Sequence, residues 1–197
     1  MSMELRPALE VIRSLRESSD VVITSMGSAR EWMAMGPLDP LDFIYVPSSM
    51  GEAPSLGLGI ALAQPSRRVF ACSGDGSLLM NLGALVTIAA QAPKNLVVIV
   101  FDNGVYEVTG AQPVPGRSVD YPAIARASGF SSVFAFGTIA DWRAGAAGAT
   151  GAAGPVCIVL SVAPVPGAVG PKSPGPTAQR APAFAAALKS ASAPAPR

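Results

Sequence analysis

Residues 67–104, RRVFACSGDGSLLMNLGALVTIAAQAPKNLVVIVFDNG, read as a strand, a glycine-rich turn, a helix and a second strand. The run from Leu96 to Phe101 shows no polar alternation, as expected when both faces of a sheet are buried. A strand–helix–strand unit of this kind builds a parallel sheet. The turn Gly74-Asp75-Gly76 poses a chemical question. Glycine-rich turns after a strand normally cradle phosphate, yet Asp75 puts a carboxylate where phosphate oxygens would sit. A cation between the two removes the conflict. In open parallel sheets, ligands gather at the carboxyl ends of strands, and both this turn and Asp102-Asn103-Gly104 are such ends. A right-handed crossover can make the two turns neighbours on one rim. Asp75 and Asn103 would then offer oxygens to one hard cation. Mg²⁺ takes about six oxygens and commonly bridges one carboxylate to phosphates. Backbone N–H groups after Gly76, at the start of the next helix, complete an anion site.

The pattern continues on both sides of this unit. Leu5, Ala8, Leu9, Ile12 and Leu15 form a helical stripe over residues 4–17. Residues 20–27 (DVVITSMG) read as a short strand, and 28–36 (SAREWMAMG) as a helix with Ser28 at its N-cap. Residues 43–49 (FIYVPSS) are a strand. Residues 50–64 (MGEAPSLGLGIALAQ) are a helix whose glycines permit close packing. Residues 77–91 read as one helix. Beyond residue 104 come a short helix (121–129), a strand (131–137), a weak helix (138–151) and a last buried strand (155–162). Strand and helix alternate, so the class is α/β with a mainly parallel sheet. After Val162, APVPGAVGPKSPGPTAQRAP (163–182) is too rich in proline and glycine to build a core and reads as extended. AFAAALKSA (183–191) can form one short helix. The expected division is a domain over 1–163 and a tail over 164–197.

Composition removes several classes of function. The net charge is +1 and no run of lysine or arginine occurs, which argues against nucleic acid or an anionic membrane surface as partner. The apolar runs fall short of the roughly 18–20 residues of a membrane span. The N-terminus is amphipathic and carries glutamates, unlike a secretory signal or transit peptide. A cytoplasmic location is the expectation. The two cysteines, Cys72 and Cys157, sit in apolar strands and read as buried structural thiols. Without clustered cysteines there is no iron–sulfur or thiolate zinc site. Histidine is absent, which excludes Ser-His-Asp and Cys-His catalysis within the chain.

GDG-Ser followed 26 positions after Ser77 by Asn103, with a helix and a strand between, resembles the motif of thiamine-diphosphate enzymes. There GDG is followed at about this distance by Asn-Asn or a close variant; here the pair is Asp102-Asn103. The resemblance covers about residues 5–162. It implies a three-layer, doubly wound, mainly parallel sheet, the diphosphate-binding (PP) domain of the thiamine-diphosphate-binding fold. It also implies thiamine diphosphate and Mg²⁺ as cofactors, with Asp75, Asn103 and the Val105 carbonyl on the metal. Gly74, Gly76, Ser77 and Tyr106 join Asn103 and Val105 in the implied cofactor wall. SSMGEAPSLGLGIALA (48–63) is similar to the family segment that precedes GDG. Met50 falls where a bulky apolar residue wedges under the cofactor. The Ser48 carbonyl and the Met50 N–H would hold its aminopyrimidine ring. TSMGSAREW (24–32) matches the loop that helps bind the diphosphate, with Gly27 and Ser28 as candidates and a plain helix cap as the alternative.

Among families with separate chains, the sequence resembles the sulfopyruvate decarboxylase β subunit and the matching half of phosphonopyruvate decarboxylase. GSAREW, SMG, GDGSLLMNLG and DNGVYEVTG followed by Gln112 carry that resemblance. It implies a subunit of a heteromeric decarboxylase that releases CO₂ and an aldehyde from a small 2-oxoacid. A carboligase or other lyase, or a non-catalytic cofactor-binding subunit, is the alternative. In this chemistry a second, pyrimidine-binding domain supplies a glutamate to the cofactor ring nitrogen. Glu52 and Glu107 lie on the PP side and read as polar support or as solvent-facing. The glutamate is therefore expected from a partner α subunit in a hetero-oligomer, α₂β₂ or larger. Arg30, just past a strand's carboxyl end, is a candidate reader of a second substrate anion. A surface arginine paired with a nearby acid is the alternative. One departure is PVPGRSVD (113–120), where the family usually carries a polar stretch, often with histidine.

Overall fold

Apolar runs, buried on both faces except in the half-exposed edge strand Ser132–Phe136, become the strands of one six-stranded sheet in a computed structural model that describes residues 2–44, 49–115 and 119–190. The strands, numbered in chain order, are β1 (Val21–Thr24), β2 (Asp42–Ile44), β3 (Val69–Gly74), β4 (Leu96–Asp102), β7 (Ser132–Phe136) and β8 (Val156–Ser161). Their spatial order is β2-β1-β3-β4-β8-β7, and every pairing is parallel. A two-stranded antiparallel hairpin, β5 (Val105–Tyr106) with β6 (Gln112–Pro113), stands apart from it. The helices are α1 (Leu5–Leu15), α2 (Met26–Ala34), α3 (Ala53–Ala63), α4 (Asp75–Leu79), α5 (Gly83–Gln91), α6 (Tyr121–Ala127), α7 (Ile139–Thr150) and α8 (Thr177–Ser190).

Side chains alternate across each strand and feed two cores. Val97, Ile99 and Phe101 of β4 pack with Leu9, Trp32 and Trp142 on one face. Leu96, Val98 and Val100 pack with Leu58, Leu85 and Ile88 on the other. Helices therefore cover both faces, and the architecture is the three-layer α/β expected. Strand order reverses between β1 and β3. Such a reversal opens a crevice at the carboxyl ends of the strands, where ligands bind.

The glycines of α3 do bring helix and sheet close. A Cβ on Gly57 would lie 2.8 Å from Ala71 Cβ and 3.2 Å from Leu96 Cδ1. Overpacking of this kind destabilises by about 1–3 kcal/mol. Gly57→Val should therefore lower the urea midpoint at unchanged m-value; an unaltered midpoint would show that α3 can lift away freely.

Four local expectations change. The cap of α2 is Ser25 rather than Ser28. Both serines satisfy a cap's chemistry, and the backbone turns at the earlier one, leaving Ser28 to close the capping box from the third position. The predicted helix 77–91 divides into α4 and α5. Tighter i→i+3 bonds, from Met80 N–H to Ser77 and from Asn81 N–H to Leu78, close the first piece. The described part of the third expected segment, FIYVPSS, is strand only to Ile44, and residues 45–48 lie outside the described residues. The late helix is longer than read, Thr177–Ser190, and runs through Pro182.

The segment from 163 to 176 has no helix or strand and leads to α8, which packs beside the edge strand β2. Phe184 and Phe43 have ring centroids 4.9 Å apart, and Arg180 Nη1 donates to the Ile44 carbonyl at 2.6 Å. Covering an edge strand removes a template for pairing with other chains. Among the described residues no helix is long and apolar enough to cross a membrane.

Candidate functional site

The register Gly74↔Phe101 between β3 and β4 sets the two sequence turns side by side on one rim. Asp75, the first residue of α4, is only 2% exposed. Its Oδ2 accepts from the Gly104 N–H at 2.8 Å, and the Gly76 N–H also serves it. The Asp102 side chain hydrogen-bonds with it. Burial pushes the Asp75 carboxyl up to about 6; the two N–H groups oppose that rise, and Asp102 adds to it. Burial raises Asp102 as well. Among the described residues no lysine or arginine pairs with Asp75.

Asn103 lies beside this pair. Its Oδ1 accepts from the Val105 N–H at 3.0 Å, an Asx turn that carries the chain into β5. Gly104 sits inside it at φ +73°, a conformation that favours glycine. The Val114 N–H bonds the Gly104 carbonyl at 3.0 Å, so Val105 and Pro113 are opposed without exchanging bonds. The Val105 carbonyl is therefore directed away from β6. Two like-charged carboxylates with no side-chain cation fit a bound metal ion. The candidate donors, a carboxylate, an amide and a carbonyl, are all oxygen, which suits a hard cation such as Mg²⁺. Among the described residues no three His, Cys, Asp or Glu side chains cluster to hold a metal unaided. The ion would need further oxygens from a ligand or water.

A cleft opens above this rim. Gly27, Ser28, Met50, Gly74, Gly76, Ser77, Val105 and Tyr106 all line it, together with Asp75 and Asn103. The Tyr106 ring lies so close to Gly76 that a Cβ there would come within 2.5 Å of Cε1. Met50 is set by a clasp from α4 and the turn after it. The Gly51 N–H donates to Ser77 Oγ at 2.8 Å, and Asn81 Nδ2 donates to the Gly51 carbonyl at 3.2 Å. Ser77 thus acts first on the Met50 turn. Ser28 is engaged in the cap: its hydroxyl accepts from the Ser25 N–H and donates to the Ser25 carbonyl. Ser25 Oγ bonds the Cys72 carbonyl, tying the end of β1 to β3.

Arg30 is held outside the cleft lining by its partners. Its Nε donates to Glu31 Oε1 at 2.9 Å and its Nη2 to Glu107 Oε2 at 3.2 Å. This is the paired-arginine alternative. Ser48 lies outside the described residues. Three contributors were not expected from sequence. Met26 lines the cleft at φ +51°, a strained conformation for a non-glycine residue. Asn81 clasps Gly51; a polar residue amid the apolar run 78–86 was its signal. Asp102 faces Asp75, and its charge beside Asn103 was visible without a reason to weigh it.

Comparison with known proteins now bears on the cleft. The family described as "Thiamine pyrophosphate enzyme, C-terminal TPP binding domain" matches residues 24–160. Phosphonopyruvate decarboxylase of Streptomyces hygroscopicus is 41% identical over 158 residues, 80% of this chain and 39% of that protein. The sulfopyruvate decarboxylase β subunit of Methanothermobacter thermautotrophicus is 42% identical over 134 residues, 68% of this chain and 70% of that one. The chain therefore spans about two-fifths of the phosphonopyruvate enzyme and most of the β subunit. An X-ray structure from Mycobacterium smegmatis, described as thiamin diphosphate-dependent, superposes with a TM-score of 0.70 at 23% identity, over 82% of this chain and 32% of that one. That likeness concerns the fold. The family match and the two relatives lead to one assignment: the chain belongs to the thiamine pyrophosphate enzymes and carries their C-terminal TPP binding domain.

Proposed function

We propose that the cleft binds thiamine diphosphate through one Mg²⁺, and that residues 1–163 form the diphosphate-binding domain of a 2-oxoacid decarboxylase, followed by a tail over 164–197. The observation that carries this reading is the buried Asp75 meeting Asn103 and Gly76 at one rim, beside Met50. Asp75, Asn103 and the Val105 carbonyl would hold the metal, and diphosphate oxygens would complete its shell. When bound, thiamine diphosphate supplies an electron sink for the electron pair left by CO₂. The residues of this chain bind and orient. Met50 presents an apolar wedge held by Ser77 and Asn81. Tyr106 closes the wall over Gly76, and Gly27 and Ser28 bring the first turn of α2 to the cleft. The names of the relatives favour sulfopyruvate- or phosphonopyruvate-like substrates, which carry a second anion.

The β-subunit relatives also favour a separate α subunit that brings the pyrimidine domain and its glutamate. The purified chain should then release no CO₂ from sulfopyruvate, phosphonopyruvate or pyruvate, even with saturating cofactor and Mg²⁺. Adding the protein that co-purifies with it from its own cells should yield CO₂ and an aldehyde. Turnover by the chain alone would overturn the divided site. A carboligated product in place of aldehyde would assign the alternative chemistry.

A further inference from the structure

The Arg30–Glu107 pair plays no part in the binding scheme above, yet it stands at the edge of the same cleft. Glu107, 9% exposed, directly follows β5 and lines the cleft. Its two oxygens face different parts of the chain. Oε2 accepts from Arg30 Nη2, and Oε1 accepts from the Val165 N–H. A Cβ on Gly27 would lie 3.0 Å from Oε2, so the first turn of α2 packs directly against this carboxylate. Arg30 adds a third link, donating from Nη1 to the Val169 carbonyl at 3.2 Å. One carboxylate and one guanidinium thus join α2, the β5–β6 hairpin and the segment after β8. Arg30 uses a different nitrogen for each partner, Nε for Glu31, Nη1 for Val169 and Nη2 for Glu107, a spread that the single nitrogen of a lysine does not offer.

Residues 163–169 form no helix or strand; among the described residues their other backbone bonds are Ala163 N–H to the Met3 carbonyl, which anchors their start, and Ala168 N–H to the Val165 carbonyl within the segment. We propose that Arg30 and Glu107 are positioning residues: the pair clamps residues 163–169, which continue from Val162 at the cleft's edge, against α2 and the hairpin, and fixes the spacing between Gly27 and the Val105–Tyr106 strand. The second half of this statement rests on the cofactor reading of the cleft; the first does not.

Limited trypsin digestion of the full chain tests the clamp at the Lys172–Ser173 bond, three residues past Val169, with products read by mass spectrometry. Cleavage there should be at least about tenfold faster in Glu107→Ala than in wild type, with cleavage after Lys94 unchanged. Arg30→Lys keeps the charge balanced but loses the fork, and should fall between the two. It decides the question if Glu107→Ala does not fold. A rate at Lys172 within twofold of wild type, or an equal rise at Lys94, overturns the clamp. Calorimetric titration with Mg²⁺ and thiamine diphosphate tests the spacing. The dissociation constant should rise at least about fivefold in Glu107→Ala and recover in part in Arg30→Lys. A freed segment with unchanged affinity overturns the spacing role. A wild-type chain that binds no cofactor defeats the cofactor reading and the spacing role with it, and digestion alone then decides the clamp.

Discussion

Asp75→Asn should make the cofactor-free chain more stable and, at the same time, weaken its binding of thiamine diphosphate and Mg²⁺ at least tenfold. The two effects have one origin. The folded Asp75 carboxyl titrates near 6 because it is buried beside Asp102, against an ordinary value of 3.8. Between those pH values the folded chain holds a proton that the unfolded chain has released. Stability therefore falls as pH rises through that window and stays low above it. At neutral pH the ionised, desolvated carboxylate destabilises the apo fold by about 3 kcal/mol, at 1.36 kcal/mol for each pKa unit. Asparagine carries no charge. Its amide oxygen can accept from the Gly104 N–H, and its NH₂ can donate to Asp102. The thermal midpoint at pH 7 should rise by about 6–12 °C, at 2–4 °C per kcal/mol for a chain of this size. The gain should vanish near pH 4, where the wild-type carboxyl is protonated. Losing a charged metal ligand acts in the opposite sense on binding, and tenfold corresponds to about 1.4 kcal/mol. Scanning calorimetry at pH 4 and 7 and isothermal titration with cofactor and Mg²⁺ measure both. A variant less stable than wild type at neutral pH would contradict the strained-carboxylate account. Unchanged affinity would remove Asp75 from the metal site.

Gly76→Ala should damage the site through packing alone. The added Cβ would meet Tyr106 at 2.5 Å from Cε1 and 2.8 Å from Cδ1, with Val114 Cγ1 at 3.0 Å. Either the ring moves or α4 retreats from the rim. Tyr106 belongs to β5, which also carries Val105 and follows Asn103, so the proposed ligands move with it. Overpacking predicts a loss of about 1–3 kcal/mol in stability. Cofactor affinity should fall at least tenfold, since the displaced atoms belong to the metal side of the cleft. A second substitution, Tyr106→Ala, vacates the space that the new methyl needs. It should restore part of the lost stability, a coupling that chemical denaturation of the single and double variants would measure. Additive losses would show that Gly76 is required for some reason other than this contact.

The sequence made the rim readable because two short-range signals met there. Runs such as Leu96–Phe101 announce doubly buried strands, and Asp75 between two glycines needs a reason for its charge. The carboxyl ends of consecutive strands then had to fall together. What stayed hidden depends on distant partners. For Arg30 the sequence offered only a nearby acid such as Glu31, whereas its partners also include Glu107, 77 positions away. The hairpin β5–β6 has only two residues per strand, too few for any periodicity. Ser25 and Ser28 stand three apart, so either could cap α2 until the backbone turn chose between them. Asn81 interrupts the 77–91 helix because its amide serves the Gly51 carbonyl, a tertiary bond that helix propensity does not register.

The strand order carries a consequence for biosynthesis. The last strand to be made, β8, is not an edge: it enters between β4 and β7, with Val97–Asp102 along one side and Ser132–Phe136 along the other. A ribosome that has delivered β4 must add more than fifty further residues before its neighbour appears. Through that interval the sequence LVVIVF presents an open row of N–H and C=O groups on a wholly apolar ribbon. Such ribbons are sites of nascent-chain association. Slow translation or a truncated message ending before residue 156 would therefore trap the chain as aggregate. Yield from recombinant expression should depend on how quickly those last strands emerge, or on a chaperone that shields β4 until they do.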